Sequence, residues 1–103
     1  MAPNLWKKAL SLPLSPKARW EWYLEHQYGL SYDEHKEMVA CQGGLCAICG
    51  KKKKLNIDHN HKTGQVRELL CRNCNYKVLG LIEKDVILAE KALKYLKKWN
   101  KKR

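Results

Sequence analysis

The chain has 103 residues, with 21 lysines and arginines against 10 acids, a formal charge of +11 and a pI near 9.6. That length suits one domain. No apolar run nears the roughly 20 residues of a membrane span, and the N-terminus reads as lacking a secretory signal. These features exclude a membrane protein, a secreted precursor, a multidomain enzyme and a Rossmann cofactor domain, and lead us to expect an intracellular protein.

Residues 1–50 carry five basic and five acidic side chains, whereas residues 51–103 carry sixteen basic and five acidic ones. A surface biased in this way attracts polyanions and binds phosphate backbones in a salt-dependent manner. A solvated, solubilising face has the same composition, so charge alone points to nucleic acid without specifying any chemistry.

In chain order, residues 1–14 read as poorly ordered, although Leu5, Trp6, Leu10, Leu12 and Leu14 could pack against other parts of the chain. Ser15-Pro16 reads as an N-cap followed by proline at the first helical position. The helix it opens is expected to run to about Gln27 and stop at Gly29, with Trp20, Tyr23 and Leu24 as its apolar stripe and Trp22 to one side. Ser31 to Glu34 forms a capping box, opening a second helix that buries Met38 and Val39 and ends at Gly43-Gly44. Leu55 to Asp58 and Gln65 to Leu70 read as strands, separated by a histidine-rich loop and a Thr63-Gly64 turn. A short helix is predicted from about Asn75 to Leu81 and a last one from near Asp85. Ile82, Val86, Ala89, Leu93 and Leu96 give the last helix an apolar stripe that needs a partner.

Five cysteines are present: Cys41, Cys46, Cys49, Cys71 and Cys74. Four form two C-x-x-C knuckles, Cys46 to Cys49 and Cys71 to Cys74, separated by residues 50–70. Each knuckle turns two thiolates toward one centre, and two knuckles complete the tetrahedron that structural Zn²⁺ prefers. Structural zinc would also supply the cross-link that a chain with a modest core needs. Cys41 is left over and reads as a small apolar residue at a helix end.

Between the knuckles lies Asp58-His59-Asn60-His61. A carboxylate can hold a hard divalent cation, and an imidazole can take a proton from water near neutral pH. Asn75, directly after Cys74, carries an amide oxygen suited to the same cation. The histidines have two other readings, as alternative zinc ligands in a Cys₂His₂ site or as plain surface side chains.

From CAICG at residue 46 through LNIDHNHKTGQVRELLCRNCNYKVLG, and in the YGLSYDEHKEMVACQGG stretch before it, the chain resembles the phage recombination endonuclease VII family of HNH, or His-Me finger, nucleases. The resemblance covers roughly residues 28–80. It implies an α+β fold, a small zinc-stabilised ββα-metal domain over residues 45–81. A helical arm (1–44) would precede it, and a basic C-terminal helix (82–103) would pack on the core. It makes Cys46, Cys49, Cys71 and Cys74 structural zinc ligands, Asp58 and Asn75 ligands of a catalytic Mg²⁺ or Mn²⁺, and His59 the general base. His61 would lie near the scissile phosphate, and Arg67 in the family's V-R element would meet a phosphate. Asn60 and Glu68 stand where many members carry aspartate and glycine.

The resulting expectation is metal-dependent hydrolysis of DNA, duplex or branched, leaving 5′-phosphate and 3′-hydroxyl ends. Junction resolution would be one form of that activity, and the bacterial host cytoplasm would be the setting if a phage encodes the chain. Lys62, Arg67, Arg72 and Lys77 are the nominated DNA contacts, with Lys51 to Lys54 and Lys101-Lys102-Arg103 as further backbone candidates. A homodimer is compatible with this reading. The alternatives from other classes are a catalytically silent zinc module that binds nucleic acid and a zinc-stabilised protein-interaction module.

Overall fold

The computed structural model describes residues 3–100. Three helices lead into a two-stranded antiparallel sheet, and two helices follow it. Residues 101–103, among the nominated phosphate contacts, lie outside the described residues.

The first helix, α1 (Trp6–Ser11), falls in the segment that the sequence led us to expect to be poorly ordered. Its support comes from elsewhere in the chain. Trp6 meets Tyr23 and Trp20 edge-on, with ring centroids 5.0 and 6.0 Å away. The Leu5 N–H donates to Gln27 Oε1 at 2.7 Å, and Ala9 is fully buried. A six-residue helix is too short to hold alone in water, so these contacts stabilise it.

Helix α2 (Pro16–Tyr23) begins as expected, with Ser15 Oγ accepting from the Ala18 N–H at 3.2 Å. It widens into a π-helical turn over Leu24–Tyr28 and stops at Gly29, whose φ of +66° is a left-handed C-cap. Helix α3 (Tyr32–Cys41) opens on the Ser31–Glu34 capping box, with both reciprocal bonds formed at 2.9 and 3.0 Å.

Strands β1 (Leu55–His59) and β2 (Val66–Cys71) pair as a hairpin. Ile57 sits opposite Leu69, and with Leu24 these two form the buried centre between the sheet and the arm. Trp20, Tyr28, Leu30, Tyr32, Met38 and Val39 close that cluster. Burying a side chain such as Leu24 or Leu69 contributes about 1.5–3 kcal/mol. Leu70 belongs to a second cluster, with Cys46, Cys71 and Cys74. The register steps from Ile57↔Leu69 to His59↔Val66, leaving Arg67 and Glu68 both opposite Asp58. This is a β-bulge, which locally re-aims side chains.

After β2 the chain makes a π-helical turn over Asn73–Val78 and continues into α4 (Leu79–Ile82). The last helix, α5 (Val86–Asn100), is capped by Asp85 Oδ1, which accepts from the Leu88 N–H at 2.9 Å. The C-terminal helix was expected to pack on the core, and α5 does not. Its main contact is with α4, and Val86, Leu93 and Leu96 are all exposed. A two-stranded sheet has only two faces. The arm packs on Ile57 and Leu69, and the knuckles pack on Leu70, so the buried residues of the strands have their partners without α5.

Candidate functional site

The two knuckles lie side by side. The four sulfurs of Cys46, Cys49, Cys71 and Cys74 are all within 4.8 Å of one another, and Cys49 Sγ is 3.8 Å from Cys71 Sγ. A tetrahedral zinc with about 2.3 Å bonds has edges of about 3.8 Å. Backbone geometry holds this arrangement. Gly50, at φ +70°, closes the first knuckle with a 3.0 Å bond from its N–H to the Cys46 carbonyl. The Cys46 N–H donates to the Lys51 carbonyl at 3.0 Å, and the Ala47 N–H to the Leu69 carbonyl at 3.1 Å.

The electrostatics suit a cation. Burial opposes a thiolate at Cys46, but backbone hydrogen bonds from Cys71, Cys49 and Ile48 outweigh it and bring the thiol down to about 6. Cys71 is also lowered, chiefly through the Cys74 backbone. Burial and then the neighbouring sulfurs push Cys74 up to about 12. The cluster thus releases some protons readily and the last reluctantly. A dication at its centre lets all four become thiolates. The set fits structural zinc and needs no histidine.

Asp58 and His59 lie at the end of β1, and alternation along the strand separates them. Asp58 is only 5 % exposed. Arg67 Nε donates to Asp58 Oδ2 at 2.6 Å and Arg67 Nη2 to Asp58 Oδ1 at 3.0 Å. Nη2 also reaches Glu83 Oε1 at 2.6 Å. Arg67, nominated for a phosphate, is therefore held between two carboxylates, Asp58 first and then Glu83, which keep its guanidinium firmly charged.

The His59 ring lies 5.8 Å from Tyr28 and 4.7 Å from His61, centroid to centroid. These three residues, with Gln27, Lys62, Thr63 and Gly64, line a cavity of about 250 Å³. Burial first, then the Tyr23 hydroxyl 3.5 Å away, raise the Tyr28 phenol well above its ordinary value, so it is a neutral wall. Asn60 shapes the loop that carries Lys62 and Thr63. Its Oδ1 accepts from the Lys62 and Thr63 N–H groups at 2.8 and 3.1 Å, an Asx turn. Asn75 sits half-buried in the turn after the second knuckle.

Arg72 and Lys77 line a separate, larger groove of about 990 Å³ with Lys53, Lys54, Asn56 and Tyr76. Of the nominated contacts, Lys62 thus stands beside the histidines, Arg72 and Lys77 stand in the groove, and Arg67 is in neither. Sequence reasoning missed Gln42, Glu83 and Tyr28. Gln42 Nε2 donates to the Leu69 carbonyl at 2.9 Å, while its Oε1 accepts from the Leu69 N–H at 2.9 Å. None of the three carries a local motif, because each acts through a residue far away in the chain.

Fold and site together define a small α+β domain built on a four-cysteine metal cluster. The sequence model of the recombination endonuclease VII family matches residues 21–98, and the chain belongs to that family. It is 41% identical over 83 residues to the Gene 59 protein of Mycobacterium phage D29, covering 77% of this chain and 50% of that one. The Gene 59 protein of Mycobacterium phage L5 is 43% identical over 81 residues, covering 75% and 49%. The chain therefore spans about half the length of these curated relatives. No solved structure matches it. Among the described residues, no helix is long and apolar enough to cross a membrane.

Proposed function

We propose that the chain is a metal-dependent DNA endonuclease of the HNH, ββα-metal type, acting inside the infected cell. The observation that supports this most directly is the adjacency of buried Asp58 and cavity-lining His59 at the end of a strand whose partner leads into the cysteine cluster.

Asp58 and Asn75 would hold Mg²⁺ or Mn²⁺. The donors fit a hard cation, since both are oxygens. Arg67 uses two of the roughly four lone-pair sites on Asp58 and leaves the others. Such a cation offsets charge building on the phosphate and on the departing 3′-oxygen.

The chain's own residues do the rest. An imidazole nitrogen of His59 takes a proton from water as that water attacks phosphorus, the bond to the 3′-oxygen breaks, and the departing 3′-oxygen takes a proton from solvent. The ends are a 5′-phosphate and a 3′-hydroxyl. His61 and Lys62, on the cavity rim, meet the phosphate. Lys53, Lys54, Arg72 and Lys77 track the flanking backbone, which positions DNA without reading bases.

Supercoiled plasmid incubated with Mg²⁺ or Mn²⁺ tests the proposal. Nicked or linear product is expected, absent in EDTA, with ends that DNA ligase reseals. Plasmid that is bound but uncut at every cation concentration would leave a nucleic-acid-binding zinc module instead.

A further inference from the structure

Glu83 lies at the end of α4, and Arg67 joins it to Asp58 in a chain of charge-assisted hydrogen bonds. The Arg67 fork occupies both oxygens of Asp58, and such a planar pairing fixes the rotation of a carboxylate. Arg67 Nη2 also approaches the His59 carbonyl at 3.4 Å, so the same guanidinium spans the two neighbouring residues of β1. Its position depends on the bulge that leaves Arg67 opposite Asp58.

Two cations on one carboxylate repel each other. With Arg67 alone beside it, Asp58 would form a neutral pair with little attraction for a further cation. Glu83 makes the three side chains net negative by one charge. It also bonds the same Arg67 Nη2 that reaches Asp58 Oδ1, and so holds the guanidinium at that nitrogen.

We propose that Glu83 is a positioning residue: without touching the metal, it anchors Arg67, offsets its charge and so sets how tightly Asp58 holds a divalent cation. This rests on reading Asp58 as the cation ligand. Glu68 supplies an internal control. It is Arg67's neighbour on β2, exposed and also a glutamate, yet it makes no bond to Arg67.

The test is Mn²⁺ binding to the zinc-loaded full chain, followed by electron paramagnetic resonance, in wild type, Glu83→Gln, Glu68→Gln and Asp58→Asn. Glu83→Gln should weaken Mn²⁺ binding on the order of tenfold, and Glu68→Gln by less than about twofold, with zinc content and Tm unchanged in both. Equal affinities in the two glutamine variants would overturn the inference, as would a weakening in Glu83→Gln that is matched by loss of zinc. Wild-type protein that binds no Mn²⁺, or Asp58→Asn that binds it equally well, would overturn the reading of Asp58 itself.

Discussion

The side chain of Gln42 pairs with Leu69 as a neighbouring strand residue would, its amide satisfying both the N–H and the carbonyl of Leu69 at 2.9 Å. The same amide nitrogen donates to the Leu45 carbonyl at 2.8 Å. One side chain therefore ties the end of the arm, the entry to the first knuckle and the buried middle of β2. Gln42→Leu leaves the buried Leu69 N–H without a partner, and an orphaned buried group costs about 1–3 kcal/mol. Thermal or urea unfolding should show that loss while the zinc content stays at wild-type level. An unchanged midpoint would mean that another group satisfies Leu69.

Zinc is expected to be a larger contributor than any single hydrogen bond. Few side chains among the described residues are buried, and Cys46, Cys71 and Cys74 are among them. Structural zinc contributes on the order of 10 kcal/mol of apparent binding free energy, comparable to the whole stability of a small domain. Cys71→Ser should therefore yield an unfolded chain by circular dichroism, and a strong chelator should do the same to the wild type. A normal melting curve without bound metal would contradict the structural role.

Features set by short-range chemistry were legible in the sequence. The Ser15 and Ser31 caps, the glycine stop at residue 29 and each knuckle depend on residues within a few positions of one another, and the hairpin joins strands that follow each other in the chain. Helix α1 was not legible, because Trp6 and Leu5 find their partners at Tyr23 and Gln27 only after the arm folds. The apolar stripe of α5 was correctly read as apolar, but periodicity does not say what covers a face. Cys46, Cys49, Cys71 and Cys74 could be grouped by spacing, whereas the capture of Arg67 by Asp58 and Glu83 depends on a bulge that leaves no mark in the strand pattern.

His35 makes the arm sensitive to pH. Its ring stands edge-on to Trp20 with centroids 5.4 Å apart, and burial lowers its pKa below the usual imidazole value. A proton therefore binds the unfolded chain more tightly than the folded one. The resulting stability is fully present above about pH 6.5 and is lost as pH falls through the lower folded value. Tm should drop between pH 7 and pH 5, and His35→Gln should remove part of that drop. An identical pH profile in the variant would assign the effect to other groups.

The groove lined by Lys53, Lys54, Arg72 and Lys77 has no acid in its lining. If these cations track phosphates, each releases a counterion on binding, and the logarithm of affinity falls against the logarithm of salt by about 0.9 per contact on duplex DNA. Lys53→Glu combined with Lys54→Glu should weaken binding to unrelated duplexes alike and reduce the salt slope by about 2. Fluorescence anisotropy across a salt series measures both. A weakened affinity with an unaltered slope would place these lysines outside the contact.

His59 offers the sharpest separation of chemistry from binding. It is half-buried at the end of β1, its ring between Tyr28 and His61, and it takes no part in the cysteine cluster. Removing a general base typically lowers rate by 10²–10⁴-fold. His59→Ala should therefore cut cleavage by about that factor at saturating Mg²⁺, with zinc content, Tm and duplex affinity near wild type. His61→Ala, which removes a phosphate contact and keeps the base, should cost less. The variants are compared in single-turnover plasmid nicking, so that product release does not mask the chemical step. If His59→Ala nicks at the wild-type rate while His61→Ala is inactive, the base is His61, and the strand end serves to hold Asp58 alone.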